Sequence, residues 1–200
     1  MEPRLAATVV PARDGPRGVE VLVMRRAPKH RFLPGFVVFP GGAVDPADGR
    51  LAERWFGTPD QASRACGIRE LIEEAGLVLT ANGLAPAPPR ALDVVDVSPP
   101  RVEDMPEICH WIAPEIVPVR FDARFYAVAA PGGLEPAPDG EEAERAWWAR
   151  PFDLLESNAS GGVSLYWPTM KIVEGLATCA AVEEVLELQV APVEPEVQIV

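Results

Sequence analysis

Lysine is nearly missing from this 200-residue chain, since only Lys29 and Lys171 stand among its 18 basic residues. Histidine is equally scarce: His30 and His110 are too few for a three-histidine metal site. Cys66, Cys109 and Cys179 are odd in number and far apart, without the paired spacing of a zinc or redox motif. A reduced, cytoplasmic compartment is therefore the expected one. No stretch approaches the roughly 18 uninterrupted apolar residues that cross a bilayer, and Met1 to Val10 has no apolar export core. The expectation is a soluble, unexported chain without a membrane partner. Positive charge is also short. Acidic residues outnumber basic ones 30 to 18, a net charge of −12, and such a surface repels the phosphate backbone of nucleic acid. An anionic small molecule would need a local arginine patch or bound cations to enter.

What is present suits one ordinary core. Hydrophobic residues make up 48% and charged residues 24%, which excludes a disordered chain. The length predicts a single domain over residues 1–190, with its core at about 5–188, and a flexible tail over 191–200. The 23 prolines belong to loops. Leu5–Val10 and Val19–Met24 read as a hairpin turning through Pro11–Pro16, and Phe36–Phe39 as a strand followed by irregular loop from Gly42 to Pro59. Thr58-Pro59-Asp60-Gln61 has the elements of a capping box, predicting a helix that starts there. That helix carries Ala62, Ala65, Ile68, Leu71, Ile72 and Ala75 on one face and stops at Gly76. Further strands are expected at Leu92–Val97, Cys109–Ile112, Val119–Ala130 and Arg145–Ala149. A helical turn at Phe152–Glu156 follows, then one helix, or two broken near Gly175–Thr178, within Thr169–Leu188.

The helix before Gly76 carries Arg69-Glu70-Leu71-Ile72-Glu73-Glu74. Glu70 and Glu74 are spaced i, i+4 and Glu73 lies one turn from Glu70, so three like charges crowd about 100° of arc at a cost to the helix. A solvated acidic face is the plain reading of such a helix. Three features point instead to a bound hard cation. Gly67 and Ser63 leave space above the carboxylates on the same face, Arg69 can orient Glu73, and the Gly41-Gly42 turn offers backbone oxygens to an all-oxygen shell.

Arg69-Glu70-Leu71-Ile72-Glu73-Glu74-Ala75-Gly76-Leu77 resembles the second half of the Nudix box, and Gly41-Gly42 resembles its start. Arg26, Arg31, Gly35 and Phe39–Gly42 fall at the spacings of the element preceding the box in the coenzyme A diphosphohydrolases of that superfamily. Two departures stand out. The box places its arginine fourteen residues after the initial glycine, but Gly42 to Arg69 is twenty-seven, an insertion of thirteen. A glutamate normally sits eight residues before the arginine, where this chain has Gln61.

The resemblance implies an α/β/α sandwich with a mixed β-sheet between helices. It implies hydrolysis of a diphosphate linkage in a nucleoside diphosphate derivative, foremost coenzyme A or an acyl-coenzyme A. ADP-ribose, a dinucleotide or a nucleotide sugar are the alternatives, as is a catalytically silent nucleotide-binding module. Glu70, Glu73 and Glu74, with the Gly41 carbonyl, match metal-ligand positions for Mg²⁺ or Mn²⁺. Glu70, Glu73 and Arg69 match catalytic positions. Arg26 and Arg31 are candidate phosphate contacts, and Glu144, before Trp147, is the preferred further carboxylate over Glu141 and Glu142. The expected partner is a small-molecule diphosphate, and a homodimer is left open. Trp111, Phe125, Tyr126, Trp147, Trp148 and Trp167 could stack a base, but strand aromatics are more often core, so none is assigned.

Overall fold

In the computed structural model, the described residues are 2–29, 33–115, 120–138, 140 and 143–193. Strands β1 (Arg4–Gly15) and β2 (Gly18–Arg26) form the N-terminal hairpin. The turn is tighter than the sequence suggests, because most of Pro11–Pro16 is strand rather than loop. β1 runs parallel to β8 (Phe121–Ala129) through Pro11↔Val128. On its other edge it pairs with β4 (Gly41–Ala43) over Ala6–Thr8 and with β2 over Ala12–Gly15. The Val9 N–H points to that second edge, where Pro40 O accepts it at 2.8 Å. Pro11, two residues on, aims its missing N–H the same way, into the gap between the two partner strands, so the ladder loses nothing.

The sheet runs β3 (Val37–Val38), β2, β1, β8, β7 (Glu107–Ile112), with β4 also on β1 and β9 (Ala143–Ala149) on β2. One parallel pair among antiparallel ones makes it mixed. Side chains alternate across it. Ala7, Val9, Leu22, Met24 and Tyr126 pack under α1 (Pro46–Phe56), α2 (Ala62–Ala75) and α3 (Ala91–Val97). Val10, Val21, Val23, Phe125 and Ala127 pack under α4 (Pro151–Ala159), α5 (Trp167–Leu176) and α6 (Val182–Glu187). This is the α/β/α sandwich that the resemblance implies. A separate hairpin, β5 (Leu77–Thr80) and β6 (Gly83–Pro86), follows α2.

Three expectations are corrected. Residues 42–59 are not irregular loop: after β4 they form α1, with Asp45 capping, Asp48 closing a capping box, Pro46 in the first turn and Gly57 left-handed at the end. Thr58 caps only a single 3₁₀ turn at Pro59–Gln61, and α2 starts after it. Leu92–Val97 is helix rather than strand, because Ala91 and Val95 bury one i, i+4 stripe. Asp96, on that helix, ties it to α1 through Arg54 and the Trp55 Nε1–H. The break expected near Gly175–Thr178 is present between α5 and α6. Residues 194–200, most of the expected tail, lie outside the described residues, as does Val119. Among the described residues no helix is long and apolar enough to cross a membrane.

Candidate functional site

α2 is set against the sheet by its apolar stripe, with Ala65, Ile68, Leu71 and Ala75 all fully buried, and it ends where Gly76 takes φ 65°. This seating turns Glu70 and Glu74 inward, both buried, towards β4. The Gly41 N–H donates to Glu74 Oε2 at 2.8 Å. At Gly42 a Cβ would stand 2.2 Å from Glu70 Oε1, and at Gly41 it would stand 2.4 Å from the Ala7 carbonyl oxygen. The glycine pair is thus required by close approach of a carboxylate on one residue and of β1 on the other. Glu73 is the exposed member of the three, its side chain 56% exposed. The three carboxylates thus differ in burial, and Gly67 opens no space above them: its missing Cβ admits Val9 Cγ2, only 2.8 Å from where that atom would sit.

Arg69 links the parts. Its Nη1 donates to Glu70 Oε1 and to Glu73 Oε2, both at 2.8 Å, while Nε and Nη2 donate to the two oxygens of Asp48 at 2.9 and 3.1 Å. Bidentate Asp48, fully buried, is the first cause holding the guanidinium firmly charged. Asp48 is the residue that sequence reasoning missed. It stands six residues after Gly42, where the box's acid falls when counted from the glycine instead of the arginine, so the insertion lies after it. Gln61 is bonded instead by Arg64 Nη1, at 2.5 Å. Beside Arg69, burial, reinforced by Asp48 and Glu70, pushes the Cys66 thiol well above its ordinary range.

Glu70, Glu74, Gly41 and Gly42 line a pocket of about 380 Å³, within the usual range for small-molecule sites. Its walls include Phe39, Trp111, Phe125 and Trp167, and its polar lining adds Arg4, Arg26, Tyr166 and Thr169. Of the sequence-derived residues, Arg26, Gly41, Glu70 and Glu74 thus meet at the pocket, whereas Arg69 and Glu73 bond to one another outside its lining. Glu144 is exposed on β9 and is not part of that lining. Arg31, Glu141 and Glu142 lie outside the described residues. Trp111, Phe125 and Trp167 are walls, but Trp148 packs with Arg13, Trp147 with Arg145, and Tyr126 with Arg64. Arg4 and Thr169 carried no sequence signal, because the strand and helix that bring them together are distant in the chain.

The donor set fits a hard divalent cation. Two buried carboxylates a helical turn apart face a glycine strand across a gap too small for a methyl group, and among the described residues they are the acidic groups of the pocket lining. Among the described residues no three histidine, cysteine or acidic groups form a complete ligand set.

No family model matches the chain. A solved structure of a Nudix hydrolase from Alicyclobacillus acidocaldarius superposes with a TM-score of 0.84 at 32% identity, covering 96% of this chain and 99% of that one. A Caenorhabditis elegans protein carrying the name nudix hydrolase 7 is 28% identical over 179 residues, 81% of this chain and 56% of its own length. The human acyl-coenzyme A diphosphatase is 24% identical over 245 residues, 87% of this chain and 65% of its own length. The chain thus matches under two thirds of either curated relative.

Proposed function

The chain belongs to the Nudix hydrolase superfamily, and from that premise we propose that it is a divalent-cation-dependent diphosphohydrolase acting on coenzyme A or an acyl-coenzyme A. The observation that carries this reading is the seating of Glu70 and Glu74 against Gly41-Gly42 in the lining of an apolar, aromatic-walled pocket. The likeness to the human acyl-coenzyme A diphosphatase and the Arg26 to Gly42 element support the substrate.

Glu70 and Glu74 would hold Mg²⁺ or Mn²⁺. The cation supplies neutralisation of the phosphate oxygens and acidification of the attacking water. The chain's own residues do the positioning. The Gly41 N–H fixes Glu74, and Arg69, braced by Asp48, fixes Glu70 and holds Glu73 beside it. Arg26 adds positive charge to the pocket for the diphosphate, and the apolar walls take the rest of the substrate away from water.

A panel of coenzyme A, acyl-coenzyme A, ADP-ribose, a dinucleotide and a nucleotide sugar, each with Mg²⁺ and with Mn²⁺, tests this reading. Release of phosphopantetheine as the main product is expected, and Glu70→Gln or Glu74→Gln should lower turnover about a hundredfold or more with the fold intact. A folded Glu70→Gln protein with full metal-dependent turnover would sink the site. Negligible phosphopantetheine beside another product would sink the substrate.

A further inference from the structure

We propose that the N-terminal end of α5 holds a second anionic group of the substrate, a phosphate monoester carried apart from the scissile diphosphate. The inference rests on the diphosphohydrolase reading and says which part of the substrate the α5 side of the pocket lining recognises. α5 is ten residues long, and its N-cap, Tyr166, makes no side-chain capping bond. Its first internal bond runs from the Met170 N–H to Tyr166 O at 2.8 Å. Pro168 has no N–H, so Trp167 and Thr169 carry the outward donors of the first turn. Thr169 is only 7% exposed and lines the pocket, and its hydroxyl bonds to no described residue. The hydroxyl of this nearly buried residue opens on the pocket, where a ligand oxygen can accept from it.

This end of α5 is built into the site. Leu165 bridges Val37, and the Val37 N–H donates to Ser164 O at 2.9 Å. Asn158 Oδ1 accepts from the Leu165 N–H at 2.9 Å. The start of the helix is therefore clamped to β3, just ahead of the Phe39–Gly42 segment that seats the carboxylates. The lining of the one pocket thus has two characters. Glu70 and Glu74 are its acidic residues, while the start of α5 offers backbone N–H groups, a hydroxyl and the positive pole of the helix dipole, and Arg4 lines the same pocket. Two N–H groups and one O–H match the three free oxygens of a phosphate monoester. Aromatic walls in the same pocket suit a nucleotide whose sugar carries that extra phosphate.

Calorimetric binding of adenosine 3′,5′-bisphosphate and adenosine 5′-monophosphate to the full chain, at one ionic strength, tests the subsite without turnover. The unaltered protein should favour the bisphosphate by about tenfold or more. Thr169→Val should remove most of that preference while leaving monophosphate affinity within about twofold, and Thr169→Ser should keep it. Arg4→Gln, at an exposed position, should lower the preference and flatten its salt dependence. In turnover, Thr169→Val should raise KM for coenzyme A and leave the 3′-dephosphorylated form unchanged. Absence of any preference in the unaltered protein overturns the proposal. So does equal weakening of both probes by Thr169→Val, which would place α5 on the shared 5′-phosphate. Failure of the diphosphohydrolase reading looks different: neither coenzyme A form is cleaved, while the bisphosphate preference and its loss in Thr169→Val persist and uphold the subsite.

Discussion

Replacing Asp48 with asparagine tests whether an acid buried in α1 governs the carboxylates of α2. Asp48 has no exposure to solvent, and its oxygens take Arg69 Nε at 2.9 Å and Nη2 at 3.1 Å. Oδ2 also accepts the Asp45 N–H at 2.8 Å. Asparagine keeps the shape but offers one acceptor and sets an amide N–H against a guanidinium N–H. Breaking a buried ion pair costs about 3–5 kcal/mol when the surviving charge is stranded. Arg69 keeps Glu70 and Glu73, both at 2.8 Å, so the expected loss falls to about 2–3 kcal/mol. At about 2–4 °C per kcal/mol for a chain of this size, Tm should drop by about 4–12 °C. Turnover should drop by about tenfold to a hundredfold, because Glu70 loses the brace behind its arginine. Thermal unfolding and turnover on the same preparations check both. Gln61→Glu is the control: it restores an acid eight residues before Arg69 but beside Arg64, so Tm should move by no more than about 2 °C. Wild-type stability and turnover in Asp48→Asn, or rescue of that variant by Gln61→Glu, would refute the assignment.

Two further outcomes are expected. Gly42→Ala puts a methyl group 2.2 Å from Glu70 Oε1, displacing the carboxylate, so turnover should fall at least about tenfold with little change in Tm. Gly41→Ala presses on the Ala7 carbonyl instead and should cost about 1–3 kcal/mol of stability; identical behaviour of the two variants contradicts the geometry. Burial pushes the Cys109 thiol up to about 11 and the Cys66 thiol further, so at pH 8 about one Cys109 in a thousand is ionised. Alkylation of the native protein should mark half-buried Cys179 first, and rapid labelling of Cys66 would count against its burial. The unfolded thiols ionise near pH 9 and the folded ones higher. Their contribution to stability is therefore complete below pH 9 and declines as pH rises from 9 through 11, a decline that Tm measured against pH should show flattened in Cys109→Ala.

Much of the site was legible because its signals are local. The spacing of Ile68, Leu71 and Ala75 and the stop at Gly76 give α2 its face and its end, and Gly41-Gly42 marks the turn that meets it. The acidic residues were legible as a group but not by orientation, since helical spacing alone does not say which way the wheel is turned against the sheet. Seating by Ala65 and Leu71 buries Glu70 and Glu74 and leaves Glu73 outside. α1 was hidden by Pro46 and Gly49, which read as loop formers, although Pro46 occupies the first helical turn and Gly49 faces open space. The Asp45-Pro46-Ala47-Asp48 cap was the available signal. In α3 the β-branched run Val94, Val95 and Val97 argued for a strand, and packing of Ala91 and Val95 against α1 and β5 overrode that preference. Thr169 could be placed at the pocket only once β3 had clamped α5 beside it.

The contact between Asp48 and Arg69 also governs what the segment between them is free to become. Both ends of residues 48–69 are pinned at one guanidinium, so the chain joining them is a closed loop whatever its length. Each doubling of such a loop adds only about 0.6 kcal/mol of closure entropy, a charge that the burial of Leu51, Ala52 and Trp55 can offset. Length between the two halves of the motif is therefore nearly neutral to the carboxylates, and a helix can be gained or shortened there without moving them. A pattern written as fixed spacing describes the shortest such loop; what the fold constrains is a distance of about one hydrogen bond.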